Sequence, residues 1–375
     1  MFRKLPYIAL LLHAYVAWRL LPAMMPVDLA FGVTALWLIV SATAMPLWPV
    51  ARGVRKQTLR DRLVLASMFA MGAFSSLLVL TLARDAALIA AGVIGASQVE
   101  ATVRGHGAVA VPLVAALVTV VGFFNARRRA TIRRIDVPIA GLPAALHGFS
   151  IAQISDVHVG PTIKRKYLEE IVGAVNALEA DVIAVTGDLV DGPVRELAGD
   201  TEPLAGLRAR HGAFFVTGNH EYYSGVVSWM RELRRLGLAV LMNEHVVLRH
   251  EGAAVVFAGV TDLQGGYFDP AHRSDPVLAM SGAPLDAGVK VLLAHQPRSA
   301  FAAATAGFDL QLSGHTHGGQ FFPWNLVVRY FHPFTTGLHR VDRLWVYVSR
   351  GTGYWGPPKR LGAPSEITYL RLVAD

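Results

Sequence analysis

Residues 5–25, 27–50, 63–82 and about 108–124 are nearly unbroken apolar runs, each close to the roughly 20 residues that a membrane-spanning helix needs. A further run at 86–96 is too short to span and fits the membrane interface. A cleaved signal peptide accounts only for the first run, so the pattern predicts an all-α transmembrane region of about four helices over residues 1–125. From about residue 136 the period changes. Short β-branched runs at 150–155, 181–186, 212–217, 254–260, 289–294, 309–313, 345–349 and 366–372 predict strands, with helical patterns near 164–180 and 226–236 between them. This alternation is α/β organisation around a buried sheet. The expected division is a multi-pass region at 1–125, a basic juxtamembrane linker at 126–147 and a folded domain at 148–375.

Composition agrees with that division. Hydrophobic residues make up 53% of the 375 and charged residues only 17%, where a soluble domain carries about 25% charged. Mean hydropathy is +0.41. A wholly soluble or disordered chain is excluded. The absence of Cys removes disulfides, thiolate metal sites and a cysteine nucleophile.

Net charge is +8, of which residues 1–125 carry +6. Much of the remaining basic character sits in Arg127, Arg128, Arg129, Arg133 and Arg134, directly after an apolar run. Such placement suits anionic lipid headgroups better than a nucleic-acid groove, so a membrane partner and no nucleic acid is expected. Arg3 and Lys4 precede the first run, and Arg52, Arg55, Lys56, Arg60 and Arg62 fill the second connection; the third connection holds only Arg84 and Arg104. With four spans, this charge bias puts both termini, and the folded domain, in the cytoplasm. His13 and Arg19, inside the first run, read as a helix contact or a snorkelling pair rather than a transport site.

In the α/β half, five apolar runs end in polar clusters: Ser155-Asp156-Val157-His158, Thr186-Gly187-Asp188-Leu189-Val190-Asp191, Thr217-Gly218-Asn219-His220-Glu221, Ala294-His295-Gln296 and Ser313-Gly314-His315-Thr316-His317. Ligands of α/β sheets collect at the carboxyl ends of strands, so these clusters can converge. Asp156, His158, Asp188, Asn219, His295, His315 and His317 offer imidazole, carboxylate and amide oxygen without sulfur, a donor set for Mn, Fe or Zn. Seven such residues exceed one tetrahedral site. One shared carboxylate would let two divalent ions sit about 3.5–4 Å apart.

The ordered set resembles the calcineurin-like metallophosphoesterase superfamily over about residues 150–372, and the multi-pass N-terminus resembles its membrane-anchored bacterial branch. The resemblance implies a four-layer α/β/β/α sandwich for residues 148–375. It also implies that Asp156, His158 and His317 hold one ion, that Asn219, His295 and His315 hold the other, and that Asp188 bridges them. His220 would be the general acid or a donor to the transition state, oriented by Asp191. Gly192 follows Asp191 where protein Ser/Thr phosphatases of the superfamily carry Arg, which disfavours a protein substrate. Arg298, Arg350 and Arg360 are the replacement cations on offer, and each reads first as a surface charge.

The implied activity is hydrolysis of a phosphodiester or pyrophosphate, of a lipid-linked or cell-envelope substrate, by metal-activated hydroxide at the bacterial inner membrane. Manganese is the metal favoured for assay. The rival reading is a membrane sensor or scaffold that binds phosphate ligands without turnover.

Overall fold

The computed structural model describes residues 5–25 and 27–375; Arg3 and Lys4, which entered the orientation argument, lie outside the described residues. The chain forms two compact units. One comprises the residues up to Arg127 together with Gly356–Leu361, and the other Arg128–Trp355 with Gly362–Asp375.

The helical unit consists of α1 (Leu5–Met24), α2 (Asp28–Ala44), the short α3 (Leu47–Ala51), α4 (Gln57–Val93) and α5 (Ser97–Arg127). Among the described residues, α1, α4 and α5 are long and apolar enough to cross a membrane, whereas α2 is a shorter apolar helix. The run at 86–96, expected to lie apart in the interface, mostly belongs to α4, which continues unbroken through Arg84 and Asp85.

Those charges are tolerated because they are paired. Arg19 grips Asp85 through Nε (2.7 Å) and Nη2 (2.9 Å), and the Tyr15 hydroxyl donates to Asp85 at 2.5 Å. Arg84 donates to the carbonyls of Arg19, Val103 and Arg104. Arg19 is thus a helix contact. So is His13, which meets the Ser41 hydroxyl at 2.9 Å and stacks on Phe74. A half-buried ion pair such as Arg19–Asp85 contributes little net stability but fixes which helices face each other, since removing one partner strands the other's charge.

Gly356–Leu361 belongs to this helical unit. Lys359 is buried; its ammonium donates to the Gly72 carbonyl (3.2 Å), to Thr119 Oγ1 (3.1 Å) and to the Ser76 hydroxyl. Arg360, expected at the surface, is also buried, and its amide donates to the Gly122 carbonyl. Small residues make room for the segment. A Cβ on Gly122 would lie 2.6 Å from Lys359 Cγ, and one on Gly72 2.9 Å from Pro357 Cβ.

The second unit contains two six-stranded sheets. Its strands are β1 (Thr131–Ile139), β2 (Ser150–Ile154), β3 (Val182–Val185), β4 (Ala213–Phe215), β5 (Ala239–Val240), β6 (Glu244–His250), β7 (Ala253–Gly259), β8 (Val289–Leu293), β9 (Leu310–Ser313), β10 (Gly337–Val341), β11 (Leu344–Val348) and β12 (Glu366–Ala374). One sheet runs β1-β12-β2-β3-β4-β5 and the other β10-β11-β9-β8-β7-β6. Ile151, Val182, Phe214, Leu370 and Leu372 of the first share one core with Val255, Phe257, Val291, Leu310 and Tyr347 of the second, so the sheets stack face to face.

Outside the second sheet, Ala279, Ala300 and Ala303 of short helices close a further core on Val256, Ala258 and Leu292. On the first sheet, Ala152, Ile154, Ile183 and Val185 alternate onto the opposite face and are buried too. The connecting helix α6 (Arg165–Asn176) buries the stripe Leu168, Ile171, Val172 and Val175. The α/β/β/α order is that expected.

Where a linker is expected at 126–147, Thr131–Ile139 pairs in parallel with β12 as an edge strand. Its Pro138 is compatible with an edge. Arg133 lies 3.8 Å from Glu366, and Arg134 stacks on Tyr369. Both side chains therefore have partners within the sheet.

Gly122→Leu forces its side chain into Lys359, and overpacking of this kind costs about 1–3 kcal/mol. The detergent-solubilised chain is expected to melt several degrees lower; an unchanged Tm would show that Gly356–Leu361 does not dock there.

Candidate metal centre

β2, β3 and β4 are parallel in one sheet, and β8 and β9 are parallel in the other. Their carboxyl ends release five loops at one place. Sharp reversals aim the side chains inward: Asp156, His158, Asp188, His315 and His317 all have positive φ, between 51° and 72°. Non-glycine residues avoid that region unless the surroundings hold them there, and such strain gathers at functional sites. Two glycines are required by the close packing. A Cβ on Gly218 would fall 2.2 Å from Asp188 Oδ1, and one on Gly314 2.1 Å from Asp156 Oδ2.

Two triads that can hold a cation result, Asp156–His158–His317 and Asp188–His295–His315. In the first, His158 Nε2 and His317 Nε2 face each other at 3.1 Å, with Asp156 Oδ1 3.4 Å from His317. In the second, His315 Nδ1 and His295 Nε2 are 3.2 Å apart, and Asp188 Oδ2 lies 3.2 Å from His295 Nε2. Asp188 Oδ2 is also 3.9 Å from His158 Nε2, so it stands between the two groups. All but His315 are buried. Asn219 Oδ1 is buried as well and has no hydrogen-bond partner. Imidazole nitrogens facing one another beside buried carboxylates, together with an unpartnered buried amide oxygen, form a donor set that fits a divalent ion.

Second partners orient the rings. His295 Nδ1 donates to the Thr186 carbonyl at 2.8 Å, which turns Nε2 toward Asp188. Asp191 Oδ1 takes the Nδ1 protons of both His158 (2.9 Å) and His220 (2.6 Å), leaving each Nε2 directed elsewhere. His158, Asp191 and His220 therefore also lie close enough to hold a cation. With both Nδ1 atoms already engaged by Asp191, the geometry favours a hydrogen-bonded chain.

The electrostatics differ from ring to ring. Burial, then the charge of His295, pushes His315 down to about 3, which keeps its lone pair free. Burial also pulls His220 down, but the hydrogen bond to Asp191 and the charges of Asp188 and Asp191 outweigh it and hold the ring at about 9. Burial raises the Asp156 carboxyl. At Asp188 burial acts the same way, yet the nearby imidazoles prevail and hold it well below the carboxylate range.

Glu221, Tyr223 and Trp355 belong to the site without having been assigned a role from sequence. Glu221 is fully buried and accepts the backbone N–H groups of Gly218 (2.6 Å), Leu189 (2.8 Å) and Asp188 (3.0 Å), tying two of the loops together. Its sequence signal is the capping position three residues after Gly218, at the start of α8 (Asn219–Ser224), labelled here after α7 (Val194–Thr201). Tyr223 and Trp355 place their rings 5.3 and 5.9 Å from His220. Of the replacement cations, Arg298 donates to the Phe331 carbonyl and Arg350 lies 3.8 Å from Glu366.

A model of the calcineurin-like phosphoesterase family matches residues 149–319. An uncharacterized metallophosphoesterase from Aquifex aeolicus is 33% identical over 224 residues, covering 59% of this chain and 84% of that protein. The chain belongs to the metallophosphoesterase family. It is also 38% identical over 268 residues to a transmembrane protein with metallophosphoesterase domain from Danio rerio and 40% identical over 273 residues to one from Bos taurus. These alignments cover 69% and 70% of this chain, which spans 61% of the length of each relative. In this metallophosphoesterase the family match begins at Phe149 and runs through all five clustered loops, ending at Gly319.

Glu221→Gln removes the charge that holds three amides. Loss of such an outer partner is expected to weaken metal affinity about 10–100-fold, read by chelator competition; unaltered affinity would make Glu221 a packing residue only.

Proposed function

We propose that this chain is a membrane-anchored, dinuclear metal-dependent phosphoesterase that hydrolyses a phosphodiester or pyrophosphate, with a lipid-linked or cell-envelope compound as substrate. The observation that carries the reading is Asp188 standing between two buried donor triads, with His220 immediately beside them. Asp156, His158 and His317 would hold one divalent ion, Asn219, His295 and His315 the other, and Asp188 would serve both. Bound there, two such ions neutralise phosphate charge and acidify a water to a nucleophile near neutral pH.

The remaining work falls to the chain. His220 Nε2 lies 3.9 Å from Asp188 Oδ2, on the edge of the triads, and its Nδ1 is anchored by Asp191. With Nδ1 taken by Asp191, Nε2 is left to carry the proton that the leaving oxygen would receive in general acid catalysis. Asp191 sets the tautomers of His158 and His220 together, so ion position and proton position are coupled through one carboxylate. The helical unit supports the substrate reading, since a tether raises the effective concentration of the site at a bilayer. Basic residues around 52–62 and at Arg127, Arg128 and Arg129 support anionic-lipid contact and a catalytic unit on the cytoplasmic side of a bacterial inner membrane.

The full chain loaded with Mn is expected to release nitrophenol from bis-p-nitrophenyl phosphate, and chelation should abolish the release. His220→Ala is expected to retain two ions by elemental analysis while losing about 10²–10⁴ in rate; metal loss in that variant would make His220 a ligand. Asp188→Asn should lose both metal and turnover. Full metal loading without turnover of any phosphoester would leave a binding protein instead.

A further inference from the structure

Beside His220 the surface is aromatic and exposed. Tyr223, Phe268 and Trp355 are 56%, 53% and 54% exposed. The Tyr223 and Trp355 rings lie 5.3 and 5.9 Å from the His220 ring, and the Phe268 ring lies 5.9 Å from that of Tyr223. Tyr267 and Leu263, in the same Leu263–Phe268 stretch, are exposed too. That stretch contains no charged residue. Single exposed aromatics are ordinary on protein surfaces, but a contiguous uncharged row at the edge of a polar site marks a place where apolar material binds.

The row is held in position. The Tyr223 hydroxyl donates to Gln264 Oε1 at 2.6 Å. The Gln320 side chain takes both backbone groups of Trp355, accepting its N–H at 2.8 Å and donating to its carbonyl at 2.9 Å. The Tyr223 hydroxyl proton is thus engaged within the row, Trp355 is fixed by its backbone, and what the three residues mainly present is ring area. Uncharged ring area takes an alkyl or acyl chain by burial alone, whereas a nucleobase stacked there would also call for partners along its hydrogen-bonding edge.

We infer that Tyr223, Phe268 and Trp355 form a leaving-group subsite that selects phosphoesters whose departing alcohol carries an apolar chain. The inference rests on the proposed phosphoesterase reading with His220 as general acid. If His220 protonates the leaving oxygen, whatever that oxygen carries comes within reach of the Tyr223 and Trp355 rings, with Phe268 next to Tyr223. The hydrophilic phosphate would stay at the buried donors, and the apolar tail would leave water along the rings. An amphiphile is the class of molecule that satisfies both halves.

The test compares esters whose leaving phenols differ only in a remote tail. Phenyl phosphate and 4-octylphenyl phosphate form one pair, and phenyl methyl phosphate and 4-octylphenyl methyl phosphate the other. The Mn-loaded full chain in nanodiscs is assayed by chromatography of the released phenol, below the concentrations at which the octyl esters form micelles. The octylphenyl ester of the pair that is turned over is expected to show a kcat/KM at least about tenfold higher, mostly through KM, in keeping with the discrimination apolar contacts provide. In the Tyr223→Ser, Phe268→Ser double variant that ratio is expected to fall to within about twofold of one, with metal content and Tm confirming an intact site.

A wild-type ratio near one, or a ratio preserved in the double variant, overturns the subsite while leaving the phosphoesterase standing. Faster turnover of thymidine 5′-phosphate than of 4-octylphenyl phosphate would also overturn it, by assigning the row to a base. No phenol from any of the four esters, together with no hydrolysis of bis-p-nitrophenyl phosphate or of a pyrophosphate diester, would overturn the phosphoesterase reading itself.

Discussion

The sheet unit is organised around an arrangement that is unfavourable by itself: imidazole nitrogens facing one another at 3.1–3.2 Å, with buried carboxylates wedged among them. Left to water, these groups would separate and solvate. They are held together by the two sheets, whose shared core of Val, Ile, Leu and Phe fixes the strand ends from which the donors project. The sheets supply the favourable burial and the loops consume part of it, in left-handed turns at five donor positions. A divalent cation converts the same crowding from repulsion into coordination.

Coupling within the site runs through carboxylates rather than through the imidazoles. Asp191 anchors two rings, Glu221 gathers three amides and Asp188 faces both triads. Each carboxylate receives more than one partner, so no loop can relax independently of its neighbours. This explains why the glycines at 218 and 314 have no room for a methyl group. The backbone is drawn against Asp188 and Asp156 as closely as atoms permit.

Much of this was legible in the chain because polar residues interrupt apolar strands abruptly, as in Ile154-Ser155-Asp156 or Leu312-Ser313-Gly314-His315, and a strand end is where an α/β sheet exposes chemistry. What was not legible depends on partners distant in sequence. The strand at Thr131–Ile139 is hidden by Arg133, Arg134 and Pro138, which an edge position tolerates and a central one would not. The α4 helix seemed to stop before Arg84 and Asp85 because their partners, Arg19 and Tyr15, lie some 65–70 residues away. Tyr223 and Trp355 carry no marker distinguishing them from core aromatics. Only placement beside His220 and exposure give them meaning.

The buried Lys359 bears on how the polypeptide can be divided. Because Gly356–Leu361 is counted with the helices while the residues on either side of it are counted with the sheets, the backbone crosses from one unit to the other three times. Neither unit is a continuous stretch of sequence. Severing the peptide after Arg127 would leave the pieces joined by that hexapeptide, and a soluble fragment beginning there would carry a lysine and two prolines stripped of the small-residue notch that receives them. The helical unit therefore needs residues from both ends of the sequence to be complete.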